Sequence, residues 1–253
     1  MSQGEVVVGV DVAARKPSVA VVLRCGRTAR VEGWFEADAR HKEGLLALLD
    51  WVAAHRPAVV AIDAPQWFNR RLLPESRLRV CDWELRRRGL PLYQVPARGE
   101  ELPPWMAVGF ALYRGLQRRG FERPEDGGLP ASFGRAPAVL EVSPHASFEA
   151  LLREARVTQA VVADRRLPRK TTGEGALLRL RLLRLARLEW DWWTRYLDHD
   201  AIDALGAAAT AWRYLQGTAG SVGDAAEGLL WLPVTREFLK EHLPPRSGRS
   251  ARR

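Results

Sequence analysis

The sequence predicts an α/β protein. Its mixed five-stranded sheet is an antiparallel meander extended by parallel strands, flanked by helices, with a helical insertion. Three observations predict it. Residues 5–13 are β-branched and almost wholly apolar, and 18–23 and 29–35 read as two further strands joined by short turns, as an antiparallel meander requires. An amphipathic stretch at 43–55 separates the third run from a fourth apolar run, the strand–helix–strand order of a crossover to a parallel neighbour. Residues 200–211 read as a helix of small side chains, able to lie close against a sheet.

In order along the chain, residues 5–13 form a strand buried on both faces, since almost every side chain is apolar. The turn at 14–17 and the turn at 25–27 join the second and third strands. In the helix at 43–55, Leu45, Leu48, Leu49 and Val52 make one apolar stripe. Residues 57–66 hold a short buried strand that ends in Asp63 and is stopped by Pro65. An arginine-rich helix at 75–88 closes at Gly89, and 92–95 read as extended. Residues 96–137 form the insertion over one face: a helix from Pro103–Pro104 to about 119, then a loop at 123–130. Residues 138–142 are a further buried strand. Ser143 and Pro144 then open a helix as N-cap and first position. A basic loop at 165–172, a leucine- and arginine-rich helix at 177–193, the small-residue helix to about 216 and an edge strand at 227–234 follow. Residues 1–245 are thus one domain, and the basic tail 246–253 is expected to be disordered.

The chain has 253 residues, enough for a substantial core. No apolar run could span a bilayer, and residues 1–5 show no secretory pattern. The two cysteines, Cys25 and Cys81, match no metal spacing. A cytoplasmic protein without structural disulfides is expected. The net charge of +9 favours a polyanionic partner, nucleic acid first, although the tail arginines supply four of those charges. The sequence contains no Walker-type glycine loop, dinucleotide fingerprint or serine-nucleophile elbow.

Acidic residues interrupt three apolar strands: Asp11, Asp63 and Glu141. A buried carboxylate is costly unless it is paired or holds a metal. Asp63 could instead face solvent at its strand end, and Glu141 could pair with one of the many arginines. Asp200 and Asp203 lie three residues apart, on one face of their helix. They could equally be first-turn acids that offset the helix dipole. Clustered carboxylates with few histidines or cysteines suit Mg²⁺ or Mn²⁺ rather than zinc.

This order of elements, with acids on the first strand, at the end of the fourth and as Asp-x-x-Asp at the start of the late helix, resembles the ribonuclease H-like superfamily and its RuvC-type resolvases. Nearly the whole chain is similar in finer detail to a family of predicted nucleases, domain of unknown function 429. That resemblance is carried by Gly9-Val10-Asp11, Ile62-Asp63-Ala64-Pro65, Arg79-Val80-Cys81-Asp82 with Arg86 and Gly89, Glu141-Val142-Ser143-Pro144-His145, Lys170 with Gly173, and Asp200-Ala201-Ile202-Asp203-Ala204-Leu205. It implies a divalent-metal-dependent nuclease acting on DNA or RNA. Asp11, Asp63, Asp200 and Asp203 would be its catalytic residues and metal ligands, Asp11 bridging two Mg²⁺ or Mn²⁺ ions roughly 3.5–4 Å apart. It also allows a homodimer. Glu141, Lys170, Arg79 and His145 are accessory candidates. Family members often carry Pro-Glu where this chain has Pro144-His145.

Two other functions remain open from sequence. The chain could bind nucleic acid without cleaving it. It could be an actin-like-fold phosphotransferase, although the turn after Asp11 has no glycine. Arg86, between charged neighbours, reads as a solvated arginine. Asp198 reads as a third acid or a cap. Trp190, Trp192 and Trp193 could line a groove for bases, whereas Trp51 belongs to an apolar stripe.

Overall fold

The computed structural model describes residues 4–73, 76–90, 92–125, 136–158, 166–191 and 196–245. Strands β1 (Val6–Asp11), β2 (Ser18–Cys25) and β3 (Ala29–Ala37) form the expected meander. Helix α1 (Lys42–Ala54) crosses over to β4 (Val59–Asp63), which pairs parallel with β1. Helices α2 (Val80–Arg87) and α3 (Pro104–Gln117) precede β5 (Ala138–Val142), which pairs parallel with β4. Then come α4 (Pro144–Val157), α5 (Gly173–Leu185), β6 (Leu188–Glu189), α6 (His199–Leu215), β7 (Gly220–Asp224), β8 (Gly228–Leu232) and α7 (Arg236–His242).

The strand order is β6-β3-β2-β1-β4-β5-β8-β7. Its central part, β3-β2-β1-β4-β5, three antiparallel strands followed by two parallel ones, is the ribonuclease H-like arrangement. The described sheet has eight strands: the five core strands expected from sequence, the predicted edge strand, and two more, β6 and β7. The predicted edge strand, β8, is interior: it lies parallel to β5, and β7 pairs antiparallel with it outside. At the other edge, β6 adds two residues parallel to β3.

Side chains alternate across the sheet. Val7, Val59 and Ala61 face a cluster built with α4, α5 and α6. Val8, Val10, Val60 and Ile62 face the opposite cluster with α1 and α3. A third cluster joins α2, α7, β7 and β8. Trp51 lies in the second cluster, stacked on Phe35 at 5.3 Å, as its stripe predicts.

Several boundaries differ from the sequence reading. Helix α2 starts at Val80, not 75. The buried Glu227 carboxylate accepts hydrogen bonds from the backbone N–H of Val80 and of Arg70, at 2.9 Å each, and pins the preceding segment as a loop. Residues 92–95 form no strand. Helix α5 ends at Leu185 because Arg187 takes a left-handed conformation, φ 64°, and the chain then turns into β6. Trp190 is consequently buried under Arg184, 3.9 Å from its ring, and lines no groove. Trp192 and Trp193 lie outside the described residues, as do most of the loop at 123–130 and the whole tail 246–253. No helix among the described residues is long and apolar enough to cross a membrane.

Candidate metal centre

The site begins with two strands in register. Asp11 and Asp63 are direct partners across the parallel β1–β4 pair. Asp11 lies two residues beyond Gly9, and Asp63 two beyond Ala61, so both carboxylates emerge on the face covered by α6. That face is unusually tight. A Cβ on Gly9 would lie 2.2 Å from the Ala204 carbonyl oxygen and 2.3 Å from the Ala208 nitrogen. Ala201, Ala204, Ala207, Ala208 and Ala211 on α6 are fully buried. Small side chains on both partners let the helix lie directly on the strand.

This contact carries Asp203 to the strand ends. Asp11, Asp63 and Asp203 each offer a carboxylate oxygen, and these atoms lie within 4.8 Å of one another. Asp200, one turn earlier, is outside this triad. Its carboxylate pairs with Lys16, from the turn after β1, and lies 3.3 Å from His199 Nε2. Asp203 pairs with Lys170, on the loop before α5. Asp198 is a cap, accepting from Ala201 N at 2.8 Å.

The electrostatics follow from burial and crowding. Burial, and then repulsion from Asp63 and Asp203, pushes the Asp11 carboxyl well above its ordinary range. Burial and the Asp203 charge raise Asp63 to about 8. Asp203 is also raised, chiefly by burial, with Lys170 opposing. The triad therefore holds its protons more tightly than free carboxyls do, Asp203 least so because Lys170 already offsets it. An oxygen-only donor set of this kind fits Mg²⁺ or Mn²⁺.

Of the accessory candidates, only Lys170 touches the triad. Glu141 faces the other way. Its register partner is Ile62, whose side chain lies in the α1–α3 cluster, so strand alternation turns Glu141 away from Asp63. Glu141 is fully buried, held by Arg79 at 2.6 and 3.0 Å and by the Gln66 N–H at 2.9 Å. Arg79, also fully buried, bridges to Asp82 at 3.0 Å. This is the arginine pairing that the sequence left open, and it braces the turn that follows Asp63. His145 sits exposed in the first turn of α4, which Ser143 caps. Desolvation lowers its pKa, with the Glu149 carboxylate opposing. Arg86 is exposed, as its neighbours suggest.

Sequence reasoning missed Lys16 and Glu227, and gave Asp82 no role beyond its place in the motif. Lys16 gave a faint signal, in that the turn after Asp11 is Arg-Lys rather than glycine. The structure also supplies an arginine behind Lys170: buried Arg179 donates to the carbonyls of Pro168 and Gly175, at 3.0 and 2.9 Å, and so fixes the lysine's loop.

A family profile described as "Protein of unknown function (DUF429)" matches residues 9–228. The chain belongs to the DUF429 family. The match spans the whole triad and both lysines. A comparison with curated proteins gives no match. Among solved structures, T. thermophilus RuvC in complex with Holliday junction substrate is similar at 15% sequence identity and a TM-score of 0.35, covering 81% of this chain and 90% of that chain. A likeness that loose adds nothing to what the strand order already says of this DUF429 member.

Proposed function

We propose that this protein is a divalent-metal-dependent nuclease that hydrolyses phosphodiester bonds in DNA or RNA. The observation that supports it is the convergence of Asp11, Asp63 and Asp203 from two strands and a helix onto one point. Nothing in the packing of an α/β core calls for three mutually repelling carboxylates there, and burying them is costly. Asp11, on the central strand β1, would be the shared ligand of Mg²⁺ or Mn²⁺, with Asp63 and Asp203 flanking it and Asp200 in reserve. One or two such ions, when bound, supply an activated water and offset charge developing on the phosphate.

The chain's own residues do the rest. Lys170 and Lys16 are half-exposed and flank the carboxylates. Freed from Asp203 and Asp200 when a cation arrives, their ammonium groups would pair with phosphate oxygens and orient the substrate. His145, with its depressed pKa, is neutral at pH 7 and can accept a proton at an imidazole nitrogen. The net charge of +9 favours a polyanion over a neutral substrate.

The test is cleavage of a panel of DNA and RNA substrates with Mn²⁺ or Mg²⁺. The wild type should cut at least one of them. Asp11→Asn, folded by circular dichroism, should cut none. Equal activity in both proteins would overturn the reading.

One observation favours a second reading, a nucleic-acid-binding protein without catalysis: the two lysines already neutralise part of the acidic centre. Calorimetric titration with Mn²⁺ separates the two. Heat that disappears in Asp11→Asn supports the nuclease. Its absence in the wild type supports the binder.

A further inference from the structure

Helix α5 is rich in leucine and arginine, and one of its arginines is turned into the core. Arg179 is buried, and no carboxylate among the described residues forms an ion pair with it. Its Nε makes no hydrogen bond among the described residues. Burial lowers the pKa of the guanidinium. A buried charge without a counter-charge is costly, and the adjoining buried positions of α5, Leu178 and Leu182, show what packing alone would place there.

What the guanidinium holds is the loop that carries Lys170. One of its nitrogens, Nη1, donates to the carbonyl of Pro168, two residues before Lys170, at 3.0 Å. The same atom donates to the carbonyl of Gly175, in the first turn of α5, at 2.9 Å. Residues 169–172 are themselves a closed turn: the Arg169 carbonyl accepts from Thr172 N at 3.1 Å and from Thr172 Oγ1 at 2.8 Å. That carbonyl lies where a Cβ on Gly175 would be. Lys170 is the second residue of this turn, so its backbone has a fixed place on α5.

A further contact of the same guanidinium leads to Asp203. Its carbon lies over the Phe148 ring of α4, 5.5 Å from the centroid. Phe148 is buried against Gly206 of α6, where a Cβ would lie 2.9 Å from the ring. Gly206 is three residues beyond Asp203, on the same side of the helix. Arg179 thus touches the loop that carries the lysine and, through Phe148, reaches the turn of α6 that carries the carboxylate. Those are the two halves of the Lys170–Asp203 pair.

We propose that Arg179 is a positioning residue of the acidic centre, fixing the point from which the Lys170 ammonium reaches Asp203. Its consequence for metal rests on the nuclease reading above: by holding a competing cation on Asp203, Arg179 sets how readily the centre takes up Mg²⁺ or Mn²⁺.

Arg179→Met keeps the length of the buried chain and removes its donors. Arg179→Gln, too short to bridge both carbonyls, is made alongside it and carries the same expectations if the methionine variant does not fold. Each is compared with wild type by competitive acetylation with trace acetic anhydride, read by peptide mass spectrometry, and by calorimetric titration with Mn²⁺. The chain has four lysines, so each is read separately. In the variants Lys170 should acetylate about two- to fivefold faster, the effect of loosening a half-exposed ion pair. Lys42, Lys240 and Lys16, which pairs with Asp200, should keep their wild-type rates. Mn²⁺ affinity should rise by about the same factor as in Lys170→Gln, and the double variant should show no further rise. Unchanged Lys170 acetylation overturns the inference. So does a rise that Lys16 shares, which makes the arginine a general support of the fold. A double variant that binds Mn²⁺ more tightly than Lys170→Gln also overturns it, because Arg179 then acts by another route. A wild type that binds no Mn²⁺ removes the nuclease reading, and acetylation alone then decides the positioning.

Discussion

Gly9 and Ala204 meet backbone to backbone, with room for no side chain between them. A Cβ at position 9 would have to push α6 off β1, and α6 carries Asp203. Gly9→Ala should therefore destabilise the protein by about 2–4 kcal/mol, at or above the usual cost of overpacking because backbone cannot rotate away. It should also weaken Mn²⁺ binding in the fraction that remains folded. Urea unfolding and calorimetry on the same preparation check both, and native-like stability would show that the helix can slide.

The raised carboxyls fix the sign of a pH dependence. Asp63 titrates at about 8 in the folded protein and near 3.9 in an unfolded chain. Between those values the folded state binds more protons. Stability from this site is therefore full below about pH 4 and is lost as the pH rises through about 8. Asp63→Asn should raise the metal-free melting temperature at pH 8.5 by ~2–8 °C, and change it little below about pH 4, where the group is neutral in the folded and unfolded chain alike. Saturating Mn²⁺ should flatten the wild-type slope. Melting curves over this pH range, with and without Mn²⁺, measure it.

Lys170 competes with any metal for Asp203. Lys170→Gln should tighten Mn²⁺ binding by ~2- to 5-fold, the modest effect of a half-exposed ion pair. On the nuclease reading, nucleic-acid cleavage should nevertheless fall, since the group proposed to orient phosphate is gone. Weaker Mn²⁺ binding in the variant would mean that the lysine supports the metal site rather than competing with it.

Arg79 and Glu141 form a fully buried pair. Glu141→Gln leaves the guanidinium with only Asp82 as counter-charge and should cost about 3–5 kcal/mol in urea unfolding. Mn²⁺ affinity, measured well below the new melting temperature, should change less than twofold, because the carboxylate faces away from the triad. A larger change would place Glu141 among the working groups.

What could be read from sequence follows the strength of each local signal. An acid within an apolar run such as β1, β4 or β5 is conspicuous, which marked Asp11; Asp63 could still have faced solvent at its strand end, and register with Asp11 decides it. The small side chains of α6 foretold its close approach. Glu141 was ambiguous for a physical reason. Its strand is buried on both sides, so alternation alone cannot say which face an acid takes, and only register with β4 decides. Strand β7, Gly-Ser-Val-Gly-Asp, has almost no strand propensity and exists because β8 offers it an edge. The end of α5 at a left-handed arginine carries no glycine or proline to announce it.

Lys16, Lys42, Lys170 and Lys240 are the chain's only lysines, against a large excess of arginine. Two of the four sit on the acidic centre. A lysine is a mobile point charge, whereas an arginine would clamp a carboxylate with two bonds. The centre therefore travels with its own counter-ions, held loosely. On the proposed reading, metal loading is an exchange in which each ammonium swings out as a cation settles in.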